Sequence, residues 1–124
     1  MENLKKIMLV DDDTAITSLL KNKLEKTGKF KVVFTNEGEQ ALNLARKEKP
    51  NLIICDIDMP DIPGGDVARE IFETADTKNI PLLFLSSLIS PSDSVNGMVG
   101  KQHMMSKSSK FSALLTKIES MLNE

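Results

Sequence analysis

Four short segments of the chain carry side chains suited to handling a phosphoryl group: Asp11-Asp12-Asp13, Asp56 with Asp58, Ser86, and Lys107. Carboxylates packed together cannot all ionise without a counter-charge. A hard divalent cation supplies one, and Mg2+ takes oxygen ligands, commonly one or two carboxylates plus a phosphate oxygen. In such a site the cation and Lys107 neutralise the phosphoryl oxygens, Ser86 donates a hydrogen bond, and one of the aspartates attacks phosphorus. Singly, each residue has a plainer role. Asp13-Thr14 suits a helix N-cap, residues 58–61 form an ordinary turn, Ser86 suits a turn, and Lys107 suits a solvated surface. Only joint placement makes a site.

The elements that must position them are legible as alternating patterns. Apolar runs fall at 7–10, 30–34, 52–55 and 82–85, with a weaker one at 103–105. Runs without polar alternation imply strands buried on both faces, as in a parallel sheet covered by helices. Between them, Ile16, Leu19, Leu20 and Leu24 take helical spacing up to Gly28, and Ala41, Leu42 and Ala45 do so before Pro50. Val67, Ala68 and Ile71 follow Gly64-Gly65, and Phe111, Leu114, Leu115, Ile118 and Leu122 form the clearest stripe. Residues 90–101, rich in Ser and Gly, read as a short or mobile helix. Five βα repeats predict an α/β, doubly wound, five-stranded parallel sheet as one domain over 1–124, with its site at the carboxyl ends of the strands. The four segments named above follow those ends.

Composition narrows the chemistry further. Eighteen acidic against sixteen basic residues in 124 give a net charge of -2, which argues against direct nucleic-acid binding. One cysteine excludes an internal disulfide framework, and one histidine excludes multi-histidine metal sites. Cys55, inside an apolar run, reads as a small core residue, and His103 as structural. A Gly-rich phosphate turn is missing after the first strand, where three carboxylates would repel a bare phosphate. No apolar run approaches the roughly 18–20 residues of a membrane span, and no signal peptide is legible, so a cytoplasmic location without membrane insertion is expected.

In its ordered motifs the sequence resembles the receiver domain of two-component response regulators, similar to the stand-alone chemotaxis-type receivers. Residues 8–13, MLVDDD, resemble the family's first strand and acidic pair, and residues 52–60, LIICDIDMP, resemble the phosphoacceptor strand. Gly64 stands where a loop glycine is expected, residues 81–87, PLLFLSS, resemble the fourth strand, and Lys107 stands at the strand-five lysine. The resemblance implies a flavodoxin-like (βα)5 fold with strand order 2-1-3-4-5. It also implies a regulatory phosphoacceptor rather than an enzyme: Asp56 takes a phosphoryl group from a sensor histidine kinase or histidine phosphotransfer protein. Asp12, Asp56 and the backbone carbonyl of Asp58 would ligate Mg2+, with Asp11 assisting, and Ser86 and Lys107 would bind the phosphoryl oxygens. The signal would leave through the face of the fourth helix, fifth strand and fifth helix, toward a downstream protein or output domain, with a phosphorylation-dependent dimer a further implied partner state.

Two positions depart from the family pattern. Ser108 replaces the usual proline after the lysine, where a non-proline cis bond would cost roughly 2.5–4 kcal/mol. Met104 replaces the usual aromatic switch residue, so coupling to the output face must run through Ser86, Lys107 and backbone movement, or be weak. Leu88, two residues beyond Ser86, cannot orient a hydrolytic water, so slow phosphate loss is expected. Two other readings compete. A phosphate-independent binding module of the same fold would explain Met104 and Ser108. A haloacid-dehalogenase-like phosphatase shares the D-x-D motif at Asp56-Ile57-Asp58, but its motif belongs after the first strand.

Overall fold

The computed structural model describes residues 4–123. Parallel strands β1 (Lys5–Val10), β2 (Phe30–Thr35), β3 (Leu52–Asp56) and β4 (Leu82–Ser86) form the body of the sheet. A two-residue strand β5 (Met98–Val99) and strand β6 (Gln102–Ser106) complete it in the order 2-1-3-4-6-5. Helices α1 (Thr14–Lys26), α2 (Ala41–Glu48), α3 (Gly64–Glu73) and α4 (Phe111–Leu122) cover both faces.

The sequence dictates this layering through its apolar strands. β3 and β4 are buried at every position, and alternate side chains go to opposite faces. Ile7, Leu9, Ile54, Leu83, Leu85 and Met105 meet Leu24 of α1 and Leu114, Ile118 and Met121 of α4. Met8, Val10, Ile53, Cys55, Leu82, Phe84 and Met104 meet Ala41 and Ala45 of α2 and Val67, Ala68 and Ile71 of α3. Caps fix the helix ends. Asp13 Oδ1 accepts from the backbone N–H groups of Ala15 and Ile16 at 2.9 and 3.3 Å, and Lys49 ends α2 in the left-handed region, just before Pro50.

The doubly wound parallel fold matches the sequence expectation in β1 to β4, but the far edge differs in detail. No α-helix lies between β4 and the last parallel strand; a 3-10 turn (Pro91–Asp93) and an edge hairpin take its place. The expected fifth strand is β6, and β5 pairs with it antiparallel through Met98↔His103 and Val99↔Gln102. The cause is local. Ser90 and Asp93 bond reciprocally around Pro91. Asn96 and Gly97 then take φ of 55° and 73°, and Gly100 takes 61°. Positive φ at two consecutive residues suits a tight hairpin turn and cannot continue a right-handed helix, so Val95 bridges Met98 across it. The expected output face therefore lacks its first helix; the crossover, the hairpin and α4 stand there. All described peptide bonds are trans, Lys107–Ser108 included. None of the described helices is long and apolar enough to cross a membrane.

Candidate functional site

Parallel register brings the acidic segments together. β1 lies between β2 and β3, with Val10 opposite Cys55, so Asp11 and Asp56 emerge side by side at adjacent strand ends. β3 runs beside β4 with Asp56 opposite Leu85, and β4 beside β6 with Ser86 opposite Ser106. Lys107 follows, and its backbone N–H donates to the Ser86 carbonyl at 2.9 Å. The Lys107 Nζ lies 2.8 Å from Asp11 Oδ2 and 3.2 Å from Asp56 Oδ1. One carboxylate oxygen each from Asp11, Asp12 and Asp56 lie within 4.8 Å of one another. Asp11 and Asp56 are buried and Asp12 is exposed.

Three carboxylates gather at this end of the sheet beside one ammonium, which leaves an excess of negative charge. Burial, then the charge of Asp11, push the Asp56 carboxyl up to about 6, against the Asp58 N–H and the Lys107 ammonium. Burial opposes the Lys107 ammonium, yet its hydrogen bond and charge pairing with Asp11, and then with Asp56, hold its pKa above the ordinary lysine value. Burial and both aspartates push the Cys55 thiol up to about 12, so its thiolate is suppressed and it behaves as core. A divalent cation would relieve that unbalanced charge, and the oxygen-only donor set suits Mg2+.

The loops around the site are held by short bonds. Asp58 N–H donates to Asp56 Oδ1 at 3.2 Å, and Asp13 N–H donates to Asp11 Oδ1 at 2.9 Å. The Asp58 side chain is exposed and lies outside the three-carboxylate cluster; its expected ligand atom is the backbone carbonyl on the same turn. Gly64 is needed at the start of α3, because a Cβ there would collide with the Asp56 carbonyl oxygen. The buried Ser86 hydroxyl accepts from the Leu88 N–H at 3.0 Å, and the Leu88 side chain is 78% exposed. Met104 is buried between crossover contacts. Its carbonyl accepts from Ser94 Oγ at 2.6 Å, and its N–H donates to the Gly97 carbonyl at 3.0 Å. His103, whose Nδ1 is buried without a partner, sits on β6, between β4 and the edge strand β5, where it pairs with Met98.

Two supports escaped the sequence reading. Asn36 Nδ2 donates to the Asp11 carbonyl at 2.7 Å and to Thr17 Oγ1 at 3.1 Å, tying the β2 loop to the acidic loop. Ser106 Oγ accepts from the Ser108 N–H at 3.0 Å, the same geometry that Ser86 makes with Leu88. A hydroxyl at the last residue of two neighbouring strands was a signal available for the second.

The response regulator receiver domain family matches residues 7–119. This chain belongs to that family. As a receiver it is similar to the alkaline phosphatase synthesis transcriptional regulatory protein PhoP of Bacillus subtilis, at 35% identity over 104 residues, 83% of this chain and 42% of that protein. It is similar also to the probable transcriptional regulator ycf27 of Guillardia theta, at 36% over 98 residues, 79% of this chain and 37% of that protein. The chain thus spans about two fifths of the length of these curated relatives. Among solved structures it superposes on the chemotaxis protein CheY4 of Vibrio cholerae with a TM-score of 0.81 at 26% identity, covering 96% of this chain and 99% of that one. The BeF3-activated receiver domain of Klebsiella pneumoniae RstA also gives 0.81 at 26%, covering 97% and 100%.

Proposed function

We propose that this receiver takes a phosphoryl group onto Asp56 from the phosphohistidine of a sensor kinase or phosphotransfer protein. The observation that carries the reading is the Lys107 ammonium between two buried carboxylates, Asp11 and Asp56, with Asp12 within reach. An Asp56 carboxylate oxygen attacks phosphorus in line, the P–N bond of the phosphohistidine breaks, and the imidazole leaves. Lys107 then exchanges its contact with the carboxylate for one with a phosphoryl oxygen, and the Ser86 hydroxyl turns from its bond with Leu88 to donate to another. Asp11, Asp12, Asp56 and the Asp58 carbonyl are the groups that would hold Mg2+, which when bound supplies charge neutralisation for the transferred group. Both moving contacts sit on loops joined by the Lys107 N–H to Ser86 carbonyl bond, so a pull on either displaces the crossover and the face beside α4. A cytoplasmic receiver signalling to a downstream protein or a linked output domain fits this arrangement.

Beryllofluoride with Mg2+ tests the reading. Fluorine NMR is expected to show a bound species with the wild type and none with Asp56→Asn; equal spectra would refute it. Met104 and the missing crossover helix favour one other reading, a module of the same fold that docks without phosphate. It predicts no bound fluoride and no partner-binding change on adding the reagent.

A further inference from the structure

The turn that follows β2 reaches the acidic loop through one side chain. Thr35 closes this turn with its hydroxyl, which accepts from the Glu37 N–H at 3.1 Å and donates to the Glu37 carbonyl at 3.2 Å. Asn36 projects from it toward α1. Its Nδ2 donates to the Asp11 carbonyl at 2.7 Å and to Thr17 Oγ1 at 3.1 Å, which engages both hydrogens of the amide. Thr17 is 1% exposed and ties the contact to the first turn of α1, donating to the Thr14 carbonyl at 3.1 Å. An aspartate at position 36 would set a carboxylate oxygen against the Asp11 carbonyl and lose the bond.

The Asp11 carbonyl belongs to the peptide group that leads into Asp12. The rest of the loop is anchored independently. The Asp11 N–H donates to the Thr35 carbonyl at 3.2 Å, the Asp13 N–H to Asp11 Oδ1 at 2.9 Å, and the Thr17 N–H to the Asp13 carbonyl at 3.2 Å. Asp12 lies between these anchors, exposed, and no hydrogen bond or ion pair among the described residues holds its carboxylate. Rotation of the 11–12 peptide about its flanking bonds would swing the Asp12 side chain away from Asp11 and Asp56, and repulsion among the three carboxylates favours that swing. We infer that Asn36 is a positioning residue for Asp12. By fixing the 11–12 peptide plane it keeps the Asp12 carboxylate within reach of Asp11 and Asp56 before a cation arrives. This role rests on the Mg2+ site proposed above. A ligand held in place beforehand spares the cation the cost of ordering it, so Asn36 raises the affinity of the site through Asp12.

Titration of the full chain with Mg2+ alone, followed by amide shifts, tests this. Asn36→Ala is expected to weaken Mg2+ binding about three- to tenfold, with circular dichroism checking that the variant folds. Asn36→Ser, too short to reach the Asp11 carbonyl, should lose as much. A double-mutant cycle separates positioning from a general structural role. Asp12→Ala should weaken binding by itself, and adding Asn36→Ala to it should change the affinity by no more than about twofold, because the group through which Asn36 acts is gone. A general loosening of the fold would instead give the same loss in both backgrounds. A change smaller than about threefold in Asn36→Ala, or an undiminished loss in the Asp12→Ala background, would overturn the inference. A wild type without Mg2+-dependent shifts would overturn the metal site itself, and this role with it. Equal binding by wild type and Asn36→Ala would leave that site standing and remove only the role of Asn36.

Discussion

The end of the sheet built by β1 and β3 and the edge built by the β4–β6 crossover obey different constraints. At the first, every side chain that matters leaves a strand buried on both faces, and parallel register fixes where it emerges. Asp11 and Asp56 have neighbouring strand ends because Val10 pairs with Cys55. At the second, a 3-10 turn and a two-residue strand replace a helix, and position depends on single hydrogen bonds such as Ser94 Oγ to the Met104 carbonyl. The site is therefore held by the core, and the crossover edge by a few local contacts. Strong packing at the strand ends and light packing at the crossover fit the proposed signalling by a change in shape.

Substitutions should separate the two regions. Leu83→Ala, in the middle of a fully buried strand, is expected to cost about 2–5 kcal/mol in urea unfolding; a cost under 1 kcal/mol would show the core to be no tighter than the edge.

A titration gives the next effect. Asp56 has a pKa of about 6 when folded, against about 3.9 in the unfolded chain, so the folded state binds more protons between those values. Stability of the metal-free protein should then fall as pH rises from about 4 to 6, by on the order of 2–3 kcal/mol. The fall should vanish in Asp56→Asn and shrink with Mg2+. A stability that rises over this window, with Asp56 as the responsible group, would contradict the burial argument.

Gly64→Ala should cost roughly 1–3 kcal/mol by overpacking against the Asp56 carbonyl, measured as a loss of midpoint urea concentration. At the edge, Val95, 68% exposed, should tolerate Ser with a change within about 0.5 kcal/mol. If Val95→Ser destabilised the protein as much as Gly64→Ala, the contrast between the regions would fail. Leu88→Glu should leave stability unchanged and hasten loss of the phosphoryl group from Asp56; equal or slower loss would remove the role given to Leu88.

The same contrast explains what the sequence revealed. Runs such as 52–55 and 82–85 announce buried strands, and an acid or hydroxyl directly after each announces its strand end, so the fold and the meeting of Asp11 with Asp56 were legible. Residues 90–101 were not, because the βα rhythm predicted a helix there and outweighed local chemistry. The local signal against it was Asn96-Gly97 between Val95 and Met98, a strong hairpin signature, while Ser90-Pro91 is a good helix start and supports only the 3-10 turn at Pro91–Asp93. Asn36 stayed hidden for another reason. Its bond to the Asp11 carbonyl joins residues 25 apart in the chain, and no periodicity encodes such a contact.

The central claim is that Asp56 is the acceptor and that its neighbouring carboxylates and lysine make it one. Intact-mass spectrometry after incubation with acetyl phosphate and Mg2+ tests it most directly. One added phosphoryl group is predicted on the wild type, absent from Asp56→Asn and absent when Mg2+ is chelated. An unmodified wild type, or the same adduct on Asp56→Asn, would contradict it.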